Sequence, residues 1–287
     1  MKRALTTAIA AALLLGACGS DSSSESTTDT TVAAAAESTA AECATGKTIT
    51  EGTLTIATGE PAFPPYVIDD KPESGEGFES AVAMAVAKQL GFGEATKWVR
   101  TPFDAAIAPG PKEFDFNLQQ FTITDERKAA VDFSEGYYSA PQAVFGLADS
   151  AAAGVKSVAD LRALKIGVAA GTTSLTYAEE TIKPTAAVQV FNDNAAVKTA
   201  LQSKQIDAVV ADLPTALYIT AVEIEGTKVF GQVAGSGTDQ FGMLLAKSSP
   251  LTPCVDMALQ ALKASGELDT ITAKWMSEFT SAPVIAG

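Results

Sequence analysis

The chain has 287 residues, 34 of them acidic against 20 basic and none histidine, for a formal net charge of −14. That balance argues against a nucleic-acid partner and against adsorption to anionic lipid headgroups. Without imidazole there are no Ser-His or Cys-His nucleophile pairs and no histidine-based zinc sites, so neither a metal nor a cofactor is expected.

Lys2 and Arg3 precede an apolar run over 4–15 that is too short to span a membrane, the pattern of an export signal. The tetrapeptide "LGAC" at 15–18 resembles a bacterial lipobox. Residues 1–17 then read as a lipoprotein signal peptide, with Cys18 as the acylated new N-terminus; a plain secretory signal with a chance cysteine is the alternative. Loss of Lys2 and Arg3 leaves 18 basic against 34 acidic residues, a formal −16. Residues 19–42 are Ser, Thr, Ala and acids, which bury too little apolar surface to offset their ordering entropy. The segment 18–45 is therefore expected to be a lipidated cysteine and a flexible linker. No later stretch approaches 18 consecutive apolar residues. In an exported chain the remaining cysteines, Cys43 and Cys254, are candidates for a disulfide, with two free thiols as the alternative.

From residue 46 onward, apolar strands alternate with helical patterns, which points to α/β layers. Strands are predicted at 54–58, 96–100 and 114–118. Between them lie a helix over 78–91, with Phe78, Val82, Val86 and Leu90 at helical spacing and Gly91 as its stop, and a helix starting near Phe103. After residue 164 the pattern repeats, with strands at 165–169, 188–191, 207–212 and 241–246. Helices are predicted after 171, over 194–202 and over 214–222, with Pro214 in a first turn, and two more close the chain. "ATGKT" (44–48) lacks the first glycine of a phosphate loop, and "GSGTDQ" (235–240) lacks the third glycine of a dinucleotide fingerprint.

Ligands in open α/β sheets bind beyond the carboxyl ends of strands. Three stretches there are unusually polar. "FTITDER" supplies Thr122 and Arg127, "AAGTTS" supplies Thr172 and Thr173, and "VVADLP" ends its strand on Asp212. Each also has a purely structural reading. Thr124 suits a helix N-cap that would leave Arg127 in solvent, and Thr172, Thr173 and Asp212 could be N-caps themselves. Taken together, an arginine fork and a helix N-terminus can share a carboxylate while an aspartate takes an ammonium group, the footprint of a free amino acid.

The order of the motifs "TGEPAFPPYV", "GEGFESAVAMAVAKQLG", "TPFDAAIAP", "FDFNLQQFTITDERKAAVDFSEGYY", "IGVAAGTTS", "DAVVADLPTALYI", "FGMLLAKSSPL" and "LKASGELDTITAKWM" resembles bacterial extracellular solute-binding proteins of the polar amino acid type. The similarity runs over essentially all of 50–280, and "TITDERKAAVDFSEGYY" is its most specific part, nearest to glutamine- and glutamate-type members. The resemblance implies a two-lobed, periplasmic-binding-protein-like (type II) α/β fold with a two-stranded hinge. Lobe 1 would comprise 46–139 and 241–287, and lobe 2 would comprise 140–240. It implies that Arg127, Thr172 and Thr173 hold the ligand's α-carboxylate, and that Asp212 takes the α-amino group with the Thr122 hydroxyl and the Gln120 carbonyl. Phe63 and Phe103 would sandwich the ligand, and Glu60 would lie near its side chain.

Ala169 and Ala211 depart from the pattern, standing where several members carry a polar or charged group, so glutamine specificity does not carry over. The implied function is extracytoplasmic amino acid capture by a monomer, anchored to the cell membrane through Cys18, that delivers its ligand to the permease subunits of an ABC transporter. The alternatives are an exported cyclohexadienyl dehydratase-like enzyme on the same scaffold, with Glu60 as its acid, and a lipid-anchored amino acid sensor.

Overall fold

The computed structural model describes residues 39–234 and 239–287. The expected signal peptide (1–17), the acylation site Cys18 and the linker as far as residue 38 lie outside the described residues. The linker was expected to run to residue 45, but its last residues, from Thr39, are folded. There the Thr39 side chain accepts from the Glu42 amide while the Glu42 carboxylate accepts from the Thr39 amide, a reciprocal cap that starts helix α1 (Ala40–Ala44).

The chain continues through β1 (Leu54–Thr58), α2 (Phe78–Gln89), β2 (Thr96–Arg100), α3 (Phe103–Ile107), β3 (Phe116–Asn117), α4 (Asp125–Ala130) and β4 (Asp132–Ala140). After Pro141 come β5 (Gln142–Leu147), α5 (Val158–Leu161), β6 (Ile166–Ala169), α6 (Thr173–Tyr177), β7 (Gln189–Phe191), α7 (Asn194–Gln202), β8 (Ala208–Asp212), α8 (Leu213–Tyr218) and β9 (Thr227–Val233). The last elements are β10 (Asp239–Leu245), α9 (Thr252–Ser265), α10 (Glu267–Met276) and β11 (Val284–Ile285).

Two sheets define two lobes. The first has the order β2-β1-β3-β10-β4, the second β11-β9-β5-β8-β6-β7. Each has a parallel side, β2-β1-β3 in one lobe and β8-β6-β7 in the other, and turns antiparallel around the strand that carries the crossing chain, β10 between β3 and β4 and β5 between β9 and β8. Strand β1 is buried along its whole length, as a strand covered on both faces must be. The core of the first lobe gathers Phe78, Val82, Val86 and Leu90 of α2 with Val255, Leu259 and Leu262 of α9. Among the described residues no helix is long and apolar enough to cross a membrane.

The end of the chain departs from expectation. Residues 241–287 were expected to complete lobe 1, but β11 joins the second sheet, parallel to β9, with Val284 opposite Gln232. Beside the two-stranded hinge, a third segment therefore passes between the lobes. Its physical reason is the edge of β9: Gln232 and Ala234 donate their amides to the Pro283 and Ile285 carbonyls. Gly231 permits the approach, since a Cβ there would lie 2.6 Å from the Pro283 oxygen.

Cys43 and Cys254 are joined by a disulfide, pinning α1 to α9 across 211 residues of sequence. A loop of that length restricts the unfolded chain by about 5 kcal/mol in the chain-entropy model. The Cys43→Ser, Cys254→Ser protein is expected to unfold at clearly lower denaturant than the oxidised parent, measured by equilibrium unfolding. Equal midpoints would show that the bridge contributes nothing to stability.

Candidate functional site

The carboxyl ends of the parallel strands of both lobes face one cleft of about 540 Å³. Glu60 and Phe63 follow β1, Phe103 follows β2, and Gln120 and Thr122 follow β3. Thr172 and Thr173 follow β6, and Asp212 ends β8. With Arg127 of α4, all nine residues singled out from the sequence line this one space, as do Ala169 and Ala211.

Arg127 does not face solvent. Thr124 caps α4 as its sequence position suggests, accepting from the Arg127 amide at 3.1 Å, and Asp125 and Glu126 occupy the first turn. The Arg127 side chain nevertheless turns inward and keeps 9% exposure. Its Nη1 donates to the Thr122 carbonyl at 2.7 Å and its Nη2 to the Gly171 carbonyl, across the cleft in the second lobe, at 2.9 Å. The guanidinium carbon lies 5.3 Å from the centre of the Phe103 ring, which stacks on Phe121 with centroids 4.8 Å apart. Burial lowers the Arg127 pKa below its usual value, opposed by Asp212 and then Asp239. An arginine remains cationic under such a shift, and its fork keeps donors beyond the two committed to carbonyls.

Asp212 opens α8 without capping it, so the N-cap reading of this residue fails. Its Oδ1 instead accepts from Gln142 Nε2 at 2.7 Å. The same nitrogen donates to Asp239 Oδ2 at 2.9 Å, while Gln142 Oε1 accepts from the Ser174 hydroxyl at 2.6 Å. Asp239 Oδ2 also accepts from Thr173 at 2.7 Å and from Thr122 at 3.4 Å. Burial, and next the neighbouring Asp239 charge, push the Asp212 carboxyl up to about 7, against the Gln142 hydrogen bond and the Arg127 charge. Thr172 does cap its helix: its hydroxyl accepts from the Leu175 amide at 3.2 Å and donates to the Ala169 carbonyl at 2.8 Å. The two threonines thus differ, one holding the turn and the other reaching Asp239.

The loop that carries Glu60 and Phe63 is tied down by Arg100, whose guanidinium donates to the Gly59 carbonyl at 2.7 Å and to Asp70 Oδ1 at 2.5 Å. The Glu60 carboxylate is exposed and has no partner among the described residues. Lys198 of the second lobe lies 4.9 Å from the Phe63 ring centre and is paired with Glu223 at 2.9 Å. The Tyr66 hydroxyl meets Thr215 at 3.3 Å, another contact between lobes. Gln120 sits at φ 51°, in the left-handed region, with its amide held by the buried carboxylate of Glu79 at 2.8 Å.

The sequence reading missed Glu79, Gln142 and Asp239. Glu79 was detectable as an acid on the buried stripe of α2, three residues before Val82. Asp239 lay inside a segment weighed only as a nucleotide motif. Nothing local marks Gln142.

Residues 54–278 match the family model of bacterial extracellular solute-binding proteins, family 3. The chain is 31% identical over 228 residues to the L-arginine-binding protein of Pseudomonas aeruginosa, covering 76% of this chain and 86% of that one. It is 32% identical over 219 residues to an ABC transporter glutamine-binding protein of Bacillus subtilis, covering 72% and 76% of the two chains. Among solved structures, an ancestral arginine-binding protein bound to glutamine aligns with a TM-score of 0.68 at 33% identity, over 79% of this chain and 98% of that one.

Proposed function

Because the chain belongs to the bacterial extracellular solute-binding proteins of family 3, we propose that it captures a free amino acid outside the cytoplasm and delivers it to the permease subunits of an ABC importer. The observation that carries this reading is the pairing of opposite charges from opposite lobes: the Arg127 guanidinium and the Asp212 carboxylate line the same cleft. A zwitterion satisfies both, and closing the lobes on it removes both charges from water together. In this reading Arg127 and the turn at Thr172 and Thr173 take the α-carboxylate. Asp212 takes the α-ammonium, helped by the Thr122 hydroxyl and the Gln120 carbonyl, while Phe63 and Phe103 flank the ligand.

The charge of the cleft narrows the ligand's side chain. Glu60, Asp104, Asp193 and Asp212 line it against Arg127 alone. The nearby cations Arg100 and Lys198 are already paired, with Asp70 and Glu223. An acidic side chain would face uncompensated like charge, so the ligand is polar or cationic, and Ala169 and Ala211 leave it room. The protein acts as a monomer held to the membrane by a lipid on Cys18, after removal of residues 1–17.

Thermal unfolding against a panel of free amino acids tests this reading. A ligand at 100 times its Kd adds about 2.7 kcal/mol to the stability of the folded state, which raises the unfolding temperature visibly. A rise with one or a few polar or cationic amino acids, and none with glutamate or aspartate, is the expected result. No rise with any amino acid would overturn it, and turnover of prephenate or arogenate would then identify an enzyme on the same scaffold.

A further inference from the structure

Beneath the cleft lies a buried acid to which the capture reading assigns no role. Glu79 enters in the first turn of α2 and keeps 1% exposure. Its Oε1 accepts from the Gln120 backbone amide at 2.8 Å and from the Tyr137 hydroxyl of β4, and its Oε2 accepts from the Gln120 side-chain amide. One carboxylate therefore joins three elements: the helix α2, the hinge strand β4 and the turn that follows β3. That turn lines the cleft through Gln120 and Thr122, and the Thr122 carbonyl is the acceptor for Arg127 Nη1. Gln120 holds a left-handed backbone at φ 51°, which a residue with a side chain adopts only when its surroundings fix it.

We propose that Glu79 is a positioning residue of the cleft, its ionised carboxylate setting the turn at 119–122 so that Gln120 and the Thr122 carbonyl present the geometry that the ligand and Arg127 require. The inference rests on the amino acid reading given above for its effect on affinity, but its structural content can be tested without a ligand. All three hydrogen bonds, two from Gln120 and one from Tyr137, are donated to Glu79. A protonated carboxyl would have to donate in return: the Gln120 backbone amide cannot accept, so Tyr137 would have to give up its donation or the Gln120 side-chain amide would have to turn over to present its oxygen.

Burial pushes the Glu79 carboxyl up to about 7, against the hydrogen bonds from Tyr137 and Gln120. The other ionisable groups facing this region are Tyr66, Tyr137 and Tyr138, all pushed further up by burial, and Asp212 of the second lobe. Only Asp212 shares the titration range of Glu79. Raising an acid's folded-state pKa penalises the folded state as pH rises from the ordinary glutamate range through 7. Ligand affinity runs the other way, because the ionised form accepts all three bonds that hold the turn at once.

These opposite signs separate positioning from a merely structural role. Glu79→Gln removes the titrating charge but sets an amide donor against one of the three, and is expected to lose part of the parent's fall in stability between about pH 5 and pH 8 while binding its amino acid about tenfold more weakly. In the parent, the Gln120 amide proton resonance is expected to move with pH about a midpoint near 7, and Glu79→Gln is expected to abolish that movement. A Gln120 resonance indifferent to pH in the parent, or undiminished affinity in Glu79→Gln, would overturn the proposal. If the parent bound no amino acid while the Gln120 titration appeared and was lost in the variant, the positioning role would be supported and the amino acid reading would fail.

Discussion

Arg127→Ala is expected to weaken amino acid binding by roughly two orders of magnitude or more. The guanidinium keeps 9% exposure and already gives two donors to carbonyls, one from each lobe. Ligand closure takes it further from water, where a charge is tolerated only when paired. Removing one partner of such a buried pair costs about 3–5 kcal/mol. At about 1.4 kcal/mol per tenfold, even the lower end gives a hundredfold. The alanine also leaves the Thr122 and Gly171 carbonyls without their donor, so part of the loss is a cross-lobe contact rather than a ligand contact. Arg127→Lys separates the two: it keeps the charge but not the planar fork, and affinity should fall to an intermediate value. Titration calorimetry with the amino acid found by thermal screening measures both variants. Affinity unchanged in Arg127→Ala would place the ligand's carboxylate elsewhere.

Much of this site was legible in the sequence because its parts sit where local rules apply. Polar residues after the strands β1, β3, β6 and β8 are conspicuous against apolar runs, and topology brings such ends to one cleft. The strand 54–58 and the helix 194–202 matched their elements to the residue, since continuous apolar runs and helical spacing are local signals. What escaped depends on tertiary partners. Arg127 satisfies both readings of its segment, a capped helix and an inward cation, and only the packing of Phe103 and Gly171 around it settles which way it turns. The short α1 and the pairing of β11 were missed for different reasons. The Thr39–Glu42 capping box was readable but lay inside a segment dismissed on composition, whereas the strand at 284–285 exists because the edge of β9 is open. The hinge network is the least legible part. Gln142 acquires its role only when β8 and β10 bring Asp212 and Asp239 within 2.9 Å of its one side-chain amide.

Asp212→Asn is expected to make the ligand-free protein more heat-stable at pH 8 while removing most of its affinity. The Asp212 carboxyl is pushed up to about 7 by burial first and by the Asp239 charge second, so its ionised form is a burden to the empty protein. The sign follows from linkage: the folded-state pKa lies above the ordinary aspartate value, so the penalty is absent in acid, grows as pH rises through the folded pKa, and is complete at pH 8. The asparagine variant carries no such charge and can still accept from Gln142. The difference in unfolding temperature between variant and parent should therefore be largest at pH 8 and vanish toward pH 4. Binding runs in the opposite sense. The ligand's ammonium supplies the cation that the buried carboxylate lacks, and an amide cannot replace that charge, so affinity should drop by roughly two orders of magnitude. Near pH 7 the ammonium also favours the ionised carboxylate, and binding to the parent should release protons. Calorimetry in two buffers of different ionisation enthalpy would detect this release. A variant that binds as the parent does, with the same buffer dependence, would show that the α-ammonium lies elsewhere and that Asp212 serves only the hinge. The stability held back at Asp212 in the empty cleft is, in this account, the same free energy that the ligand recovers on closure.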